Sequence, residues 1–87
     1  MLVLITYEAP ASAEGRKRLR QVSKECQEYG QRVQSSVFEC VMDYGAFLKL
    51  RKGLLTIIDS GEDSLRFYLL GHKWKGKMEH YGYKRNH

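Results

Sequence analysis

Tyr7-Glu8 follows directly on the apolar run Leu2–Ile5, which sets a phenol and a carboxylate at the end of a strand. Such strand ends, where the chain enters a loop, are a usual place for functional groups. One carboxylate is a weak site for a hard cation, whereas two carboxylates brought together across a two-fold axis make a better one. Arginines form the second group able to do chemistry. Arg16-Lys17-Arg18 and Arg20 crowd the start of a helical segment, and Arg32 stands at the entry to a β-rich stretch. A guanidinium grips phosphate oxygens with paired, parallel hydrogen bonds. The third group is a basic tail: between Gly71 and His87, Lys73, Lys75, Lys77, Lys84 and Arg85 face a single acid, Glu79. That tail carries +4 of a net charge of +5, so a polyanion is the favoured partner.

Other chemistries find no support in the residue spacing. His72, His80 and His87 are scattered through the tail without metal-ligand spacing. Cys26 and Cys40 have neither metal nor redox spacing and read as reduced, mostly buried thiols. Gly15 and Gly61 stand alone, so no phosphate loop is present. Ser35 and Ser36 have no evident base to activate them as nucleophiles. Trp74, between lysines, has a ring that could stack on a base, but anchoring the tail to the sheet is the simpler role.

The elements that must position these groups follow from hydrophobic period. Gln31–Asp43 reads as two short β-runs meeting at Ser35–Ser36, the central hairpin of a small mixed sheet. Phe38 in this hairpin reads as core or dimer packing. Leu2–Tyr7 is a strand whose apolar residues do not alternate, which predicts burial on both faces. In so short a chain a second subunit would have to cover one of them. Ser12 is an N-cap for a helix with Leu19, Val22, Cys26 and Tyr29 on its apolar face, closed by Gly30 as a C-cap. The wheel places Arg18 beside that face and Arg20 on the opposite flank. Asp43 caps a second helix with Phe47, Leu50, Leu54, Ile57 and Ile58 inward. Gly53 within it predicts a close neighbour, because glycine there costs about 1 kcal/mol relative to alanine. Leu65, Phe67 and Leu69 alternate as a fourth strand, and Met78–Tyr83 has strand potential of its own.

The order is β-α-β-β-α-β, an α+β ferredoxin-like pattern with an additional C-terminal strand. The 87 residues make one domain, its core in about 1–70 and its basic tail in about 71–87. At 43% hydrophobic and 29% charged the chain is that of an ordinary globular domain. No signal peptide or membrane span is read, so the expected location is the cytoplasm, most simply of a bacterium.

Several motifs together carry a resemblance over nearly the whole chain. They are Met-Leu-Val-Leu-Ile-Thr-Tyr-Glu at the start, Gly-Arg-Lys-Arg-Leu-Arg-Gln-Val on the first helix and Gln-Arg-Val-Gln-Ser-Ser-Val-Phe-Glu-Cys in the hairpin. With Asp-Ser-Leu-Arg-Phe-Tyr-Leu-Leu-Gly and Glu-His-Tyr-Gly, the sequence resembles the CRISPR-associated protein 2 family. The resemblance implies a homodimer joined in part by the C-terminal strand. It implies a bridge between dimers of the CRISPR-associated protein 1 integrase, holding the DNA that becomes a new spacer. It also implies, for some members, a magnesium- or manganese-dependent endonuclease acting on single-stranded RNA or duplex DNA. By position, Tyr7 and Glu8 match the catalytic end of strand one, with the ion shared by two Glu8 across the dimer axis. Arg18, Arg20 and Arg32 match the family's arginines, and Phe38 its hairpin phenylalanine. Glu8 departs from the family aspartate: it keeps the hard oxygen donors and sets them one methylene further out. Two other readings fit the residues, a non-catalytic nucleic-acid-binding or regulatory module and a stand-alone ribonuclease toxin of similar fold.

Overall fold

In the computed structural model, which describes residues 1–71 and 77–83, β1 (Leu2–Glu8) is the middle strand of a five-stranded sheet. α1 (Ala13–Gln27), β2 (Gly30–Gln34), β3 (Val37–Val41), α2 (Tyr44–Ile57), β4 (Ser64–Leu70) and β5 (Lys77–Gly82) follow. The strand order is β2-β3-β1-β4-β5. This is the expected α+β arrangement, with the fifth strand added beside β4. Every pairing is antiparallel, which corrects the mixed sheet expected from sequence. Each helix returns the chain to a strand two places away, so a strand of opposite direction always separates the parallel ones. The β2–β3 hairpin consequently sits at an edge, and β1 takes the centre.

Strand β1 alternates after all. Val3, Ile5 and Tyr7 are buried beneath the helices, while Leu2, Leu4, Thr6 and Glu8 face the other way. The continuous apolar run therefore reports two different environments, a helix-covered core and an open sheet face. On the covered side Phe38, Cys40, Leu65, Phe67 and Leu69 meet Val22 and Cys26 of α1 and Phe47, Leu50 and Leu54 of α2. Phe47 and Phe67 meet edge-to-face at 5.3 Å, and Phe67 meets Tyr81 at 6.0 Å. Such pairs add roughly 0.5–1.5 kcal/mol each beyond their buried area, here joining α2, β4 and β5.

Both caps form as read. Ser12 Oγ accepts from Gly15 N at 3.0 Å, and Asp43 Oδ1 accepts from Ala46 N at 2.7 Å. Helix α1 ends earlier than expected, with Glu28 as its C-cap and Tyr29 beyond it. Gly30 is the first residue of β2 and not a C-cap. A Cβ there would collide with the Glu39 carbonyl, so glycine is what lets the two strands close. The two-residue turn Ser35–Ser36 contains no positive φ, unlike the favoured hairpin turns. A register shift between Arg32 and Gln34 accompanies it and leaves Val33 unpaired.

Gly53 has no close neighbour: a Cβ there would find nothing within 4 Å. The expected tight packing is absent, so Gly53→Ala should raise stability by about 1 kcal/mol through helix propensity alone. Urea unfolding followed by circular dichroism checks this. An unchanged or lower midpoint would mean that α2 does not behave as an unobstructed helix at that point.

Candidate nucleic-acid site at the end of the first strand

The C-terminal end of β1 is built around a residue that sequence reading passed over as part of a turn. Asp63 is fully buried just before β4, and four donors converge on its carboxylate. Tyr7 Oη donates to Oδ2 in a short bond. Arg18 Nε donates to Oδ2 at 2.7 Å and Nη2 to Oδ1 at 3.0 Å, a bidentate clasp. The Asp59 backbone N–H donates at 2.9 Å. Burial alone would raise the carboxyl's pKa, but the bonds from Arg18, Asp59 and Tyr7 hold it below its ordinary value. Burial foremost, then the bond to the Asp63 carboxylate and its charge, push the Tyr7 phenol well above its ordinary value against the opposing pull of Arg18, so it stays protonated. Asp63 also receives the Tyr83 N–H on its backbone carbonyl at 2.6 Å, where Gly82 at φ +93° lets β5 approach. One aspartate thus ties β1, α1, the α2–β4 loop and β5 together.

This arrangement sorts the arginines. Arg18 turns inward as the helical wheel predicts, its side chain 15% exposed, and it also reaches Glu62 at 3.2 Å. Its charge is balanced within the fold. Arg16 and Arg20 are exposed on α1, and Arg16 Nη1 donates to the Ala11 carbonyl at 3.0 Å. Arg32 is held differently. Its Nη2 donates to the buried Ser23 Oγ in a short bond, and its guanidinium lies 5.7 Å from the centre of the Phe38 ring. Gln27 Nε2 donates to the same oxygen at 2.6 Å. Among the described residues no carboxylate neutralises Arg32, so a neutral hydroxyl and an aromatic ring orient a full positive charge. Phe38 itself is entirely buried.

Glu8 is exposed at the rim of an open cleft of about 290 Å³ lined by Tyr7, Glu8, Ala9, Leu19, Ser35 and Ser36. The Tyr7 N–H donates to the Ser36 carbonyl at 3.0 Å, which locks the hairpin turn to the strand end. Structure therefore brings Tyr7, Glu8 and the hairpin serines together, with Tyr7 acting through Asp63 and not pointing a free hydroxyl outward. A second such spatial meeting joins the cysteines. Both are free and buried, and Cys40 Sγ donates to the Cys26 carbonyl at 3.4 Å. Burial pushes the Cys40 thiol up to about 11 and Cys26 higher still, so both are inert thiols. Lys77 opens β5 exposed, its Nζ 3.9 Å from Glu79 and 6.0 Å from the centre of the Tyr44 ring. Lys73, Lys75, Lys84 and Arg85, with His72, Trp74 and His87, lie outside the described residues.

The chain that builds this site matches a known family over most of its length. The family model for CRISPR associated protein Cas2 matches residues 1–78. The chain belongs to the Cas2 family. It is 56% identical over 88 residues to the CRISPR-associated endoribonuclease Cas2 of Chlorobaculum tepidum, spanning 97% of this chain and 88% of that protein. It is 54% identical over 85 residues to the CRISPR-associated endonuclease Cas2 of Halalkalibacterium halodurans, with the same coverage. Among solved structures it is similar to Streptococcus pyogenes Cas2, at 52% identity and a TM-score of 0.80, covering 85% of this chain and 90% of that one. No helix among the described residues is long and apolar enough to cross a membrane.

Proposed function

We propose that this Cas2-family chain is a dimeric nucleic-acid-binding subunit of CRISPR adaptation, bridging a CRISPR-associated protein 1 integrase, and a metal-dependent endonuclease at the Glu8 end of β1. What carries the reading is the meeting of exposed Glu8 and the serine turn at one strand end, with Arg32 held on β2 two strands away, in a chain whose relatives are named as nucleases. Exposed Arg16 and Arg20, with the basic tail, supply the sequence-independent attraction to a phosphate backbone.

Support for the dimer comes from the open sheet face. Leu2, Val41, Leu70 and Met78 are 37%, 74%, 38% and 49% exposed; Leu2 pairs with Val41 on one side and Leu70 on the other, and Met78 pairs with Tyr68, two residues from Leu70 on the same face of β4. A contiguous apolar patch of this kind favours a partner surface, and a second copy offers the same patch in return.

Glu8 offers the hard oxygen donors that magnesium or manganese takes, but too few for a site in one chain. Among the described residues no group of three or more His, Cys, Asp or Glu gathers to hold a metal. Two Glu8 side chains, one from each copy, with water and substrate phosphate, would make up the number. The ion when bound would acidify an attacking water. The chain's own residues do the rest: Arg32 steadies a phosphate from a fixed position, and Asp63 holds the strand end through Tyr7.

Pull-down against the cognate integrase, with and without spacer-like duplex, followed by light scattering, tests this reading. Expected are a mass near twice 10.2 kDa for the free chain and retention on the integrase. Val41→Asp should give a monomer that no longer bridges. A stable wild-type monomer, or no retention with or without duplex, would overturn the bridging role.

A further inference from the structure

Arg18 and Arg51 are both partly buried, and each clasps a carboxylate, that of Asp63 and of Glu79 respectively. Among the described residues Arg32 is anchored without one. Its register partner is the buried Phe38, so it stands on the helix-covered side of the edge strand β2, beside the last turns of α1. There Arg32 Nη2 and Gln27 Nε2 both donate to the hydroxyl oxygen of the buried Ser23. A hydroxyl oxygen accepts two hydrogen bonds, so these donors fill it and fix each other's place. Because both side chains meet on one oxygen, a carboxylate in place of the Gln27 amide would reach the guanidinium and close a stronger, charge-assisted bond. The chain has the neutral isostere instead. A neutral clasp sets where the charge sits and leaves the charge itself to an external anion. The rest of that helix flank agrees. Arg16, Arg20, Ser23 and Gln27 stand at i, i+4, i+7 and i+11, one stripe along α1, while Glu14 and Glu25, the acids of the helix, fall on its other side. Arg32 thus extends a row of exposed cations. A guanidinium has five N–H donors, so the bond to Ser23 still leaves a pair of them for a phosphate.

We propose that Ser23 and Gln27 are positioning residues for Arg32: together they form a neutral clasp that aims its guanidinium at a nucleic-acid phosphate without cancelling its charge. This rests on the reading of the chain as a nucleic-acid-binding protein. Fluorescence anisotropy on a labelled DNA duplex in EDTA, repeated over a range of salt, tests it apart from catalysis. Arg32→Ala should lower the slope of log affinity against log salt by about 0.9, the share of one phosphate on duplex DNA. Gln27→Glu should lower the slope by the same amount and weaken binding about tenfold, the scale of one charge-assisted hydrogen bond. Its thermal midpoint should at least equal that of wild type, since Gln27 is exposed and the new carboxylate gains an ion pair. Added to Arg32→Ala, Gln27→Glu should cost less than about twofold more, because the charge it cancels is already gone. Ser23→Ala keeps the charge but releases it, so the slope should hold while affinity falls about three- to fivefold. If Ser23→Ala does not fold, the Gln27→Glu cycle decides by itself. Equal weakening by Gln27→Glu in both backgrounds, wild-type binding by Gln27→Glu, or full affinity in folded Ser23→Ala overturns the clasp alone. A wild-type slope in Arg32→Ala removes Arg32 from the phosphate contacts and the clasp with it. Absence of duplex binding by wild type overturns the nucleic-acid reading itself.

Discussion

Asp63→Ala should destabilise the fold by on the order of 3 kcal/mol, a large share of what an 87-residue domain has. The carboxylate is fully buried, and its removal strands the Tyr7 hydroxyl, the Asp59 N–H and the inner face of the Arg18 guanidinium. Breaking a buried pair at one partner costs more than the pair is worth, because the other groups are left desolvated. Arg20→Ala, on the exposed flank of the same helix, should change stability by no more than about 0.5 kcal/mol. The effect carries a pH signature. Asp63 has its pKa lowered on folding, so its ionic contribution is complete above the unfolded-state value near 4 and is lost as pH falls through the folded value. Urea midpoints between pH 7 and pH 3 should therefore show the gap between wild type and Asp63→Asn closing at the acid end. A gap that stays constant with pH would mean that size or packing, and not the charge, sets the role of this residue.

Local signals were legible in the sequence, and long-range ones were not. The caps at Ser12 and Asp43 are one-turn motifs, and the apolar stripes of both helices repeat within a few residues, so each declares itself without knowledge of the fold. The hairpin at Ser35–Ser36 and the inward turn of Arg18 belong to the same class. Asp63 is different. It reads as the last residue of a polar turn, and only the pairing of Glu8 with Ser64 carries it to the end of β1, 56 positions from Tyr7. A faint signal existed: an acid immediately before an alternating strand, in a chain with an inward-facing arginine, invites a buried pair. The glycines failed for the same reason in opposite directions. Gly30 looks like a helix stop but answers to a carbonyl on β3, and Gly53 looks like a contact but answers to nothing. For β1, composition could not separate a covered face from an open one, since both are apolar.

Glu8 decides whether this chain cuts nucleic acid at the place proposed. Its side chain is exposed on the open-face side of β1, next to the serine turn, and the proposed shared ion requires a dimer whose two-fold axis passes near that strand end. Glu8→Ala removes the donors outright and should lower cleavage at least about 100-fold, the scale of losing a group that acts in the transition state. Glu8→Asp draws the oxygens back by one methylene and should match or exceed wild type if the longer side chain overreaches the ion. The folds of all three should be equivalent, since an exposed residue at a strand end contributes little to stability. The decisive measurement is cleavage of labelled single-stranded RNA by wild type, Glu8→Ala and Glu8→Asp, each titrated with magnesium or manganese after chelation. The account predicts activity that appears only with metal, disappears in Glu8→Ala and persists in Glu8→Asp. Cleavage that needs no metal, or that Glu8→Ala retains in protein free of contaminating nuclease, would contradict it.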